Sequence, residues 1–95
     1  IFVRQTNVYV PQAFSPNNDG VNDFAVVFAN NPKSFSMKIY NRWGELVFES
    51  NDVNNPWNGT YKGADCPQDN YTYILDVTMQ NGKYYHRQSS ILLLR

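Results

Sequence analysis

The strongest constraint on the fold is an alternation of period two near the end of the chain. From position 71 onward, apolar side chains occupy every second position: Tyr71, Tyr73, Leu75, Val77 and Met79. Successive side chains of a β-strand point to opposite faces, so this spacing predicts a strand with one buried face. Asn81-Gly82 follows and predicts a type I′ turn that leads into a second strand over Lys83 to Arg95. The sequence therefore predicts a β-hairpin.

The end of that second strand is apolar at consecutive positions. Ile91 and Leu93 alternate with Leu92 and Leu94, so both faces of the strand carry aliphatic side chains. We expect both faces to be covered and the strand to be an integral part of the core.

Further strands are predicted nearer the amino end. Val8 and Val10 indicate a short first strand, which Pro11 ends or leaves at a sheet edge because proline has no backbone N–H. The apolar run Phe24–Ala29 is typical of a strand buried on both faces.

The middle of the chain predicts another hairpin. Residues 35–39 and 46–48 alternate between apolar and polar side chains on either side of Arg42-Trp43-Gly44, so this tripeptide is expected at the tip. Trp57 follows in a loop, and we expect it to pack over the core with its indole N–H bonded to a loop carbonyl.

Composition agrees with an all-β fold. The 95 residues include 15 Phe, Tyr and Trp, which favour strands, and 13 Asn, 5 Gly and 5 Pro, which favour turns. Six or seven strands separated by turns predict an immunoglobulin-like Greek-key β-sandwich of about seven antiparallel strands. A chain of this length forms one domain, in which folding buries about 60–65% of the unfolded surface.

Charge and cysteine content exclude several classes of function. Eight Lys and Arg balance eight Asp and Glu, so no overall field attracts nucleic acid, and no apolar run approaches the ~18 residues of a transmembrane segment. The single cysteine, Cys66, cannot form an intrachain disulfide and is expected to be a free thiol. Since His86 is the only histidine, a zinc site is not predicted. With no Ser-His-Asp set or paired acids to nominate, the sequence does not predict an enzyme.

Five blocks of sequence carry a family resemblance. They are Pro11–Asp23 (PQAFSPNNDGVND), Ile39–Ser50 (IYNRWGELVFES), Trp57–Thr60 (WNGT), Tyr71–Tyr73 (YTY) and Leu92–Arg95 (LLLR). Taken in order, these blocks resemble the gliding-motility-associated C-terminal domain, the type B sorting domain of the type IX secretion system of Bacteroidetes. The similarity extends over nearly the whole chain.

This resemblance implies a function in protein secretion. It implies that residues 1–95 are a single C-terminal sorting domain excised from a larger secreted or cell-surface protein. The domain would act in the periplasm after Sec export and direct the N-terminal cargo domains of that protein through the outer-membrane secretion machinery. An adhesive or carbohydrate-binding immunoglobulin-like module of a surface protein is the alternative, and the pairs Tyr71-Tyr73 and Tyr84-Tyr85 would then be its exposed aromatics.

Two positions depart from the family pattern. Ser89-Ser90 and Asp69-Asn70 stand where the family commonly has glycine. Asn70 tolerates the left-handed conformation better than most residues, so we expect it to adopt that conformation in place of glycine.

The first hairpin tip and the chain end supply the candidate residues for partner recognition: Arg42, Trp43, Glu45 and Arg95. An exposed indole on a turn is a suitable anchor for a partner protein. The neighbouring guanidinium either binds a carboxylate of the partner or pairs with Glu45 across the turn.

The loop between the first two blocks has two interpretations. Four of its side chains carry oxygens of the kind that Ca²⁺ binds: Asn17, Asp19, Asn22 and Asp23. Gly20 would permit the sharp turn between them. However, an EF-hand alignment places Ser15 at the first position and Val26 at the position of the bidentate Glu. The favoured interpretation is an Asx-turn network without a cofactor, and Ca²⁺ is the alternative.

Overall fold

The computed structural model describes residues 8–17, 20 and 23–95. Within these residues the chain forms nine strands: β1 Val8–Tyr9, β2 Ala13–Phe14, β3 Phe28–Ala29, β4 Ser34–Tyr40, β5 Leu46–Ser50, β6 Thr60–Tyr61, β7 Ala64–Asp65, β8 Asp69–Thr78 and β9 Tyr84–Leu93. A five-stranded sheet has the order β2-β9-β8-β4-β5, and two-stranded sheets join β1 to β3 and β6 to β7. The predicted all-β sandwich class is confirmed. Among the described residues no helix could cross a membrane.

The centre of the large sheet is the predicted hairpin of β8 and β9. Their antiparallel register runs from Asp69 opposite Leu93 to Thr78 opposite Tyr84 without interruption. Every second side chain of β8 points towards the core and is buried there. The hairpin prediction is therefore confirmed.

The turn of this hairpin differs from the predicted type I′. The Gly82 N–H donates to the Met79 carbonyl at 2.9 Å, and the Met79 N–H donates to the Lys83 carbonyl at 2.8 Å. Gly82 has a φ of 86°, whereas Asn81 does not have a positive φ. The connection is therefore a three-residue loop with a left-handed glycine at its end, which needs one residue with positive φ where a type I′ turn needs two.

The core lies between the large sheet and a layer formed by β1, β3 and the segment before β3. Its largest fully buried side chains are Trp57, Phe14, Ile39, Leu75, Ile91, Leu93 and Val77. The indole of Trp57 is 1% exposed, and its Nε1–H donates to the Thr60 carbonyl at 2.9 Å. The prediction for Trp57 is confirmed.

The apolar run 24–29 is buried on one face rather than on both. Only Phe28–Ala29 forms a strand, with Ala25 in an isolated bridge to Trp57. Ala25, Val27 and Ala29 point into the core, whereas the intervening side chains are about half exposed: Phe24 47%, Val26 53% and Phe28 56%. The prediction of two buried faces was wrong because this segment is the outer layer of a two-layer fold.

The end of β9 is also covered mainly on one side. Ile91 and Leu93 are completely buried, whereas Leu94 is 39% exposed and Leu92 is intermediate. The expectation that both faces are covered was wrong, since the second layer packs on only one face of the large sheet.

The chain changes sheets at Pro11. Before it, β1 pairs with β3 in antiparallel orientation, and after it, β2 pairs with β9 in parallel orientation. This pairing departs from the predicted all-antiparallel arrangement. As expected, Pro11 ends the first strand, and β2 reaches only Leu92 and Leu93 of β9.

Candidate partner-recognition site

The β4–β5 hairpin ends in a tightly hydrogen-bonded loop. The Asn41 N–H donates to the Glu45 carbonyl at 2.9 Å, and the Gly44 N–H donates to the Asn41 carbonyl at 3.0 Å. The side-chain Oδ1 of Asn41 accepts from the backbone N–H groups of Trp43 and Glu45 at 3.0 and 2.9 Å. Gly44 has a φ of 81°, so the loop closes through a left-handed glycine. The predicted hairpin tip, Arg42-Trp43-Gly44, is confirmed and is held in one conformation by Asn41.

The indole of Trp43 projects from this loop into solvent. It is 77% exposed, the highest value among the exposed large hydrophobic residues. The guanidinium carbon of Arg42 lies 5.7 Å from the centre of the indole ring, within the range of a cation–π contact. The tip therefore presents an aromatic face and a cation side by side.

Arg42 pairs with Asp69 rather than with Glu45. Its guanidinium makes two contacts with this carboxylate, Nη2 to Oδ1 at 3.0 Å and Nε to Oδ2 at 2.7 Å. This hydrogen bonding lowers the pKa of Asp69 and raises the pKa of Arg42. Glu45 instead accepts from the Asn41 amide at 3.0 Å. The predicted Arg42–Glu45 alternative was wrong, because Asp69 at the start of β8 offers a bidentate geometry.

The residue after Asp69 is extended rather than left-handed. Asn70 lies in β8 opposite Leu92, and its N–H donates to the Asp69 carboxylate at 2.8 Å. The expectation of a left-handed Asn70 was wrong because β8 already begins at Asp69.

A small apolar cleft opens beside the tip. Its walls include Trp43 and Val47 on the hairpin side and Tyr61, Pro67 and Tyr71 on the other, and its volume is about 190 Å³. Pockets for small molecules usually measure about 300–1,000 Å³. The cleft is therefore of a size for a single side chain of a partner protein.

Two groups in the cleft wall, Tyr71 and Cys66, have raised pKa values. The Tyr71 hydroxyl donates to the Pro67 carbonyl at 2.7 Å, and burial raises the pKa of Tyr71 to about 12. Burial also raises the pKa of the Cys66 thiol, which is free as predicted. Both groups are protonated at neutral pH.

The fourth candidate residue, Arg95, contacts the segment that forms one wall of the cleft. Its Nε donates to the Cys66 carbonyl at 2.9 Å and its Nη2 to the Gly59 carbonyl at 2.8 Å. Its backbone N–H donates to Gln68 Oε1 at 3.0 Å. Arg95 is therefore hydrogen-bonded to the segment that forms one wall of the cleft.

Sequence reasoning found the tip but missed the opposite wall. Asp69, Tyr61 and Pro67 were not predicted as site residues. Asp69 and Pro67 come near Trp43 only when β8 pairs with β4, and Tyr61 only when β6 packs beside β5.

The candidate calcium loop is described only in part. Asp23 Oδ1 accepts from the Asn17 N–H at 3.1 Å, and Oδ2 accepts from the Gly20 N–H at 2.9 Å. Both are side-chain-to-backbone bonds within the loop, but they run back to residues six and three positions earlier rather than forward by two as in an Asx turn. Asp19 and Asn22 lie outside the described residues. Elsewhere in the described chain no group of three or more His, Cys, Asp and Glu could hold a metal ion. The Ca²⁺ alternative stays a prediction.

A β-sandwich that fixes an exposed Trp-Arg pair beside a side-chain-sized cleft is typical of a protein-binding module. The family model of the CHU_C type IX secretion signal domain matches residues 8–93. The chain belongs to this family, and the family resemblance seen in the sequence is confirmed. The family consists of sorting signals and is not an enzyme family. A comparison with curated proteins gave no match.

Proposed function

We propose that this domain directs the protein that carries it across the outer membrane through the type IX secretion system. The hairpin tip Arg42-Trp43-Gly44 and the adjacent cleft form the surface that the secretion machinery recognises. The exposed indole carries this proposal. Trp43 is 77% exposed, yet its backbone is fixed by Asn41 and the neighbouring Arg42 is fixed by Asp69.

The physical argument concerns the cost of binding. Ordering a flexible side chain at an interface costs about 0.5–1.5 kcal/mol, and a tip that is already ordered avoids part of this cost. Trp and Arg are also the residues most enriched among those that dominate binding energy. The domain itself performs no reaction, and its N-terminal cargo domains reach the cell surface or the medium by way of the periplasm.

The test is an export assay in a bacterium that possesses the system. The 95 residues are fused behind a periplasmic reporter, and export is compared with that of Arg42→Ala/Trp43→Ala. We expect the double variant to export at least about tenfold less, since losing an anchor of this kind costs about 2 kcal/mol or more of binding energy. Circular dichroism should show that the variant stays folded.

Two controls separate recognition from folding. Phe28→Ala removes another exposed aromatic, which is 56% exposed and belongs to the other layer, and should leave export unchanged. Deletion of Ile91–Arg95 should abolish export by unfolding the domain, because Ile91 and Leu93 are core residues. Normal export by the double variant would remove the tip from the recognition surface.

A second function has one specific observation in its favour. Tyr9, Phe24, Val26 and Phe28 are 47–56% exposed and lie together around a shallow cavity of about 510 Å³. Aromatic rings on one face of a sheet are suited to stacking on sugar rings. Two of the tyrosines that the sequence suggested for sugar binding, Tyr71 and Tyr73, are only 2% exposed and cannot contact a sugar. Glycan-array binding that Phe28→Ala abolishes would favour this function.

A further inference from the structure

The outer edge of β9 is unpaired over most of its length in the described structure. One edge of the strand is paired with β8 over all ten residues. The opposite edge bonds to β2 only at Leu92 and Leu93. Within residues 8–17, 20 and 23–95, no strand pairs with this edge between Tyr84 and Ile91. The change of sheet at Pro11 takes residues 8–9 away from this edge, which no other described strand occupies.

The hydrogen bonds to β2 reveal which backbone groups face the open edge. The Leu92 N–H donates to the Gln12 carbonyl and the Leu94 N–H to the Phe14 carbonyl, each at 2.9 Å. Backbone groups of alternate residues point to the same side of a strand. Further along β9, the N–H and C=O groups that point away from β8 therefore belong to Tyr84, His86, Gln88 and Ser90.

The second hairpin connection supports the same assignment. Met79 donates to Lys83 across the turn, so odd-numbered residues of β9 form the hydrogen-bonded pairs with β8. The amides of Arg87 and Ser89 are consequently bonded within the sheet. The register of the β8–β9 pair has no shift, so the open edge continues regularly along the strand.

Open edges in soluble proteins are usually blocked. Short strands, bulges, proline and lysine are the common devices. β9 is ten residues long, contains neither Pro nor Lys, and has no bulge against β8. Arg87 is its only basic residue apart from His86, and no ion pair of Arg87 occurs among the described residues.

We propose that the edge of β9 from Tyr84 to Ser90 binds an extended segment of a secretion-machinery protein, which adds to the sheet as a further strand. This inference rests on the proposed function. An extended polypeptide is the occupant because its alternating N–H and C=O groups have the spacing that the edge requires. β2 already occupies the end of the same edge in this manner. The guanidinium of Arg87, for which no ion pair occurs among the described residues, favours a segment that carries a carboxylate.

The test replaces one backbone donor. Gln88→Pro removes an N–H that points to the open edge and leaves the bonds to β8 intact, a position where edge strands tolerate proline. We expect a fused reporter to be exported at least about tenfold less, while the domain stays folded by circular dichroism. Gln88→Ala keeps the backbone donor and should export normally. Ser89→Pro removes a donor to β8 and should unfold the domain.

Two further measurements exclude other occupants. In amide hydrogen exchange on the isolated domain, the amides of His86 and Gln88 should exchange rapidly, whereas those of Arg87 and Ser89 should be protected. Protection of His86 and Gln88 in the monomer would mean that the edge is already paired within the chain, and would overturn the proposal. Sedimentation that showed a dimer, dissolved by Gln88→Pro, would assign the edge to a second copy and would also overturn it.

The outcome separates this inference from the proposed function. Export of the unmodified fusion tests the sorting function by itself. Normal export of a folded Gln88→Pro fusion would overturn the edge proposal and leave the sorting function standing. If Gln88→Pro does not fold, export of His86→Pro is compared with that of His86→Ala instead. The backbone N–H of His86 points to the same open edge, so reduced export of the proline variant alone would support the edge proposal and normal export would overturn it.

Discussion

The two tryptophans of this chain should differ greatly in their contribution to stability. Trp57 is 1% exposed and packs against Phe14 and Tyr71, with ring centroids at 5.4 and 5.1 Å. Replacing such a residue by alanine costs about 3–5 kcal/mol. Trp43 is 77% exposed, and surface substitutions of this kind change stability by about 0.5 kcal/mol or less.

These magnitudes convert into a simple measurement. For a domain of this size, 1 kcal/mol shifts the melting temperature by about 4–8 °C. Trp57→Ala should therefore lower it by more than about 12 °C, whereas Trp43→Ala should change it by less than about 4 °C. Thermal unfolding followed by circular dichroism is suitable, since it does not depend on indole fluorescence.

Trp57→Phe separates packing from hydrogen bonding. It keeps an aromatic ring but leaves the Thr60 carbonyl without the indole N–H, which should cost about 1–3 kcal/mol. If Trp57→Ala and Trp43→Ala lowered the melting temperature equally, the assignment of Trp57 to the core and Trp43 to the recognition surface would be refuted.

Three other substitutions test separate parts of the structure. Gly59→Ala should destabilise the domain by about 1–3 kcal/mol in urea unfolding, because Gly59 has a φ of 84° and a Cβ there would lie 3.0 Å from Pro16. Gly20→Val should lower the free energy of unfolding by a similar amount, because Gly20 has a φ of 80°. Millimolar Ca²⁺ should not raise the melting temperature of the domain. The lowered pKa of Asp69 gives stability that is present above the ordinary pKa of about 3.9 and is lost as the pH falls through the folded-state pKa. Between about pH 5 and pH 2, the melting temperature of Asp69→Asn should therefore fall less than that of the parent domain.

The features that could be predicted from the sequence are those that depend on neighbouring residues. The period-two alternation of β8 and the glycine after Trp43 define hairpins whose partners are close along the chain. Buried positions follow from the same alternation, as Leu75 and Val77 illustrate. The turn before Lys83 was found, although its type depended on which residue takes a positive φ.

The features that could not be predicted depend on distant parts of the chain. Whether residues 24–29 are covered on both faces depends on the number of layers, which no local pattern contains. The partner of Arg42 is 27 residues away in sequence. Among the described strands, the edge of β9 is left open by the change of sheet at Pro11, and the sequence indicates only that a strand ends there.

The position of β9 connects recognition to folding. Its inward side chains Ile91 and Leu93 complete the core, and its outer edge is the proposed docking site. A strand that binds this edge binds the folded domain alone, because the unfolded chain has no ordered edge. At a concentration one hundred times its Kd, such a strand would add about 2.7 kcal/mol to the stability of the domain. Because small domains are stable by only about 5–15 kcal/mol, binding of this kind would favour the export of chains whose sorting domain has already folded.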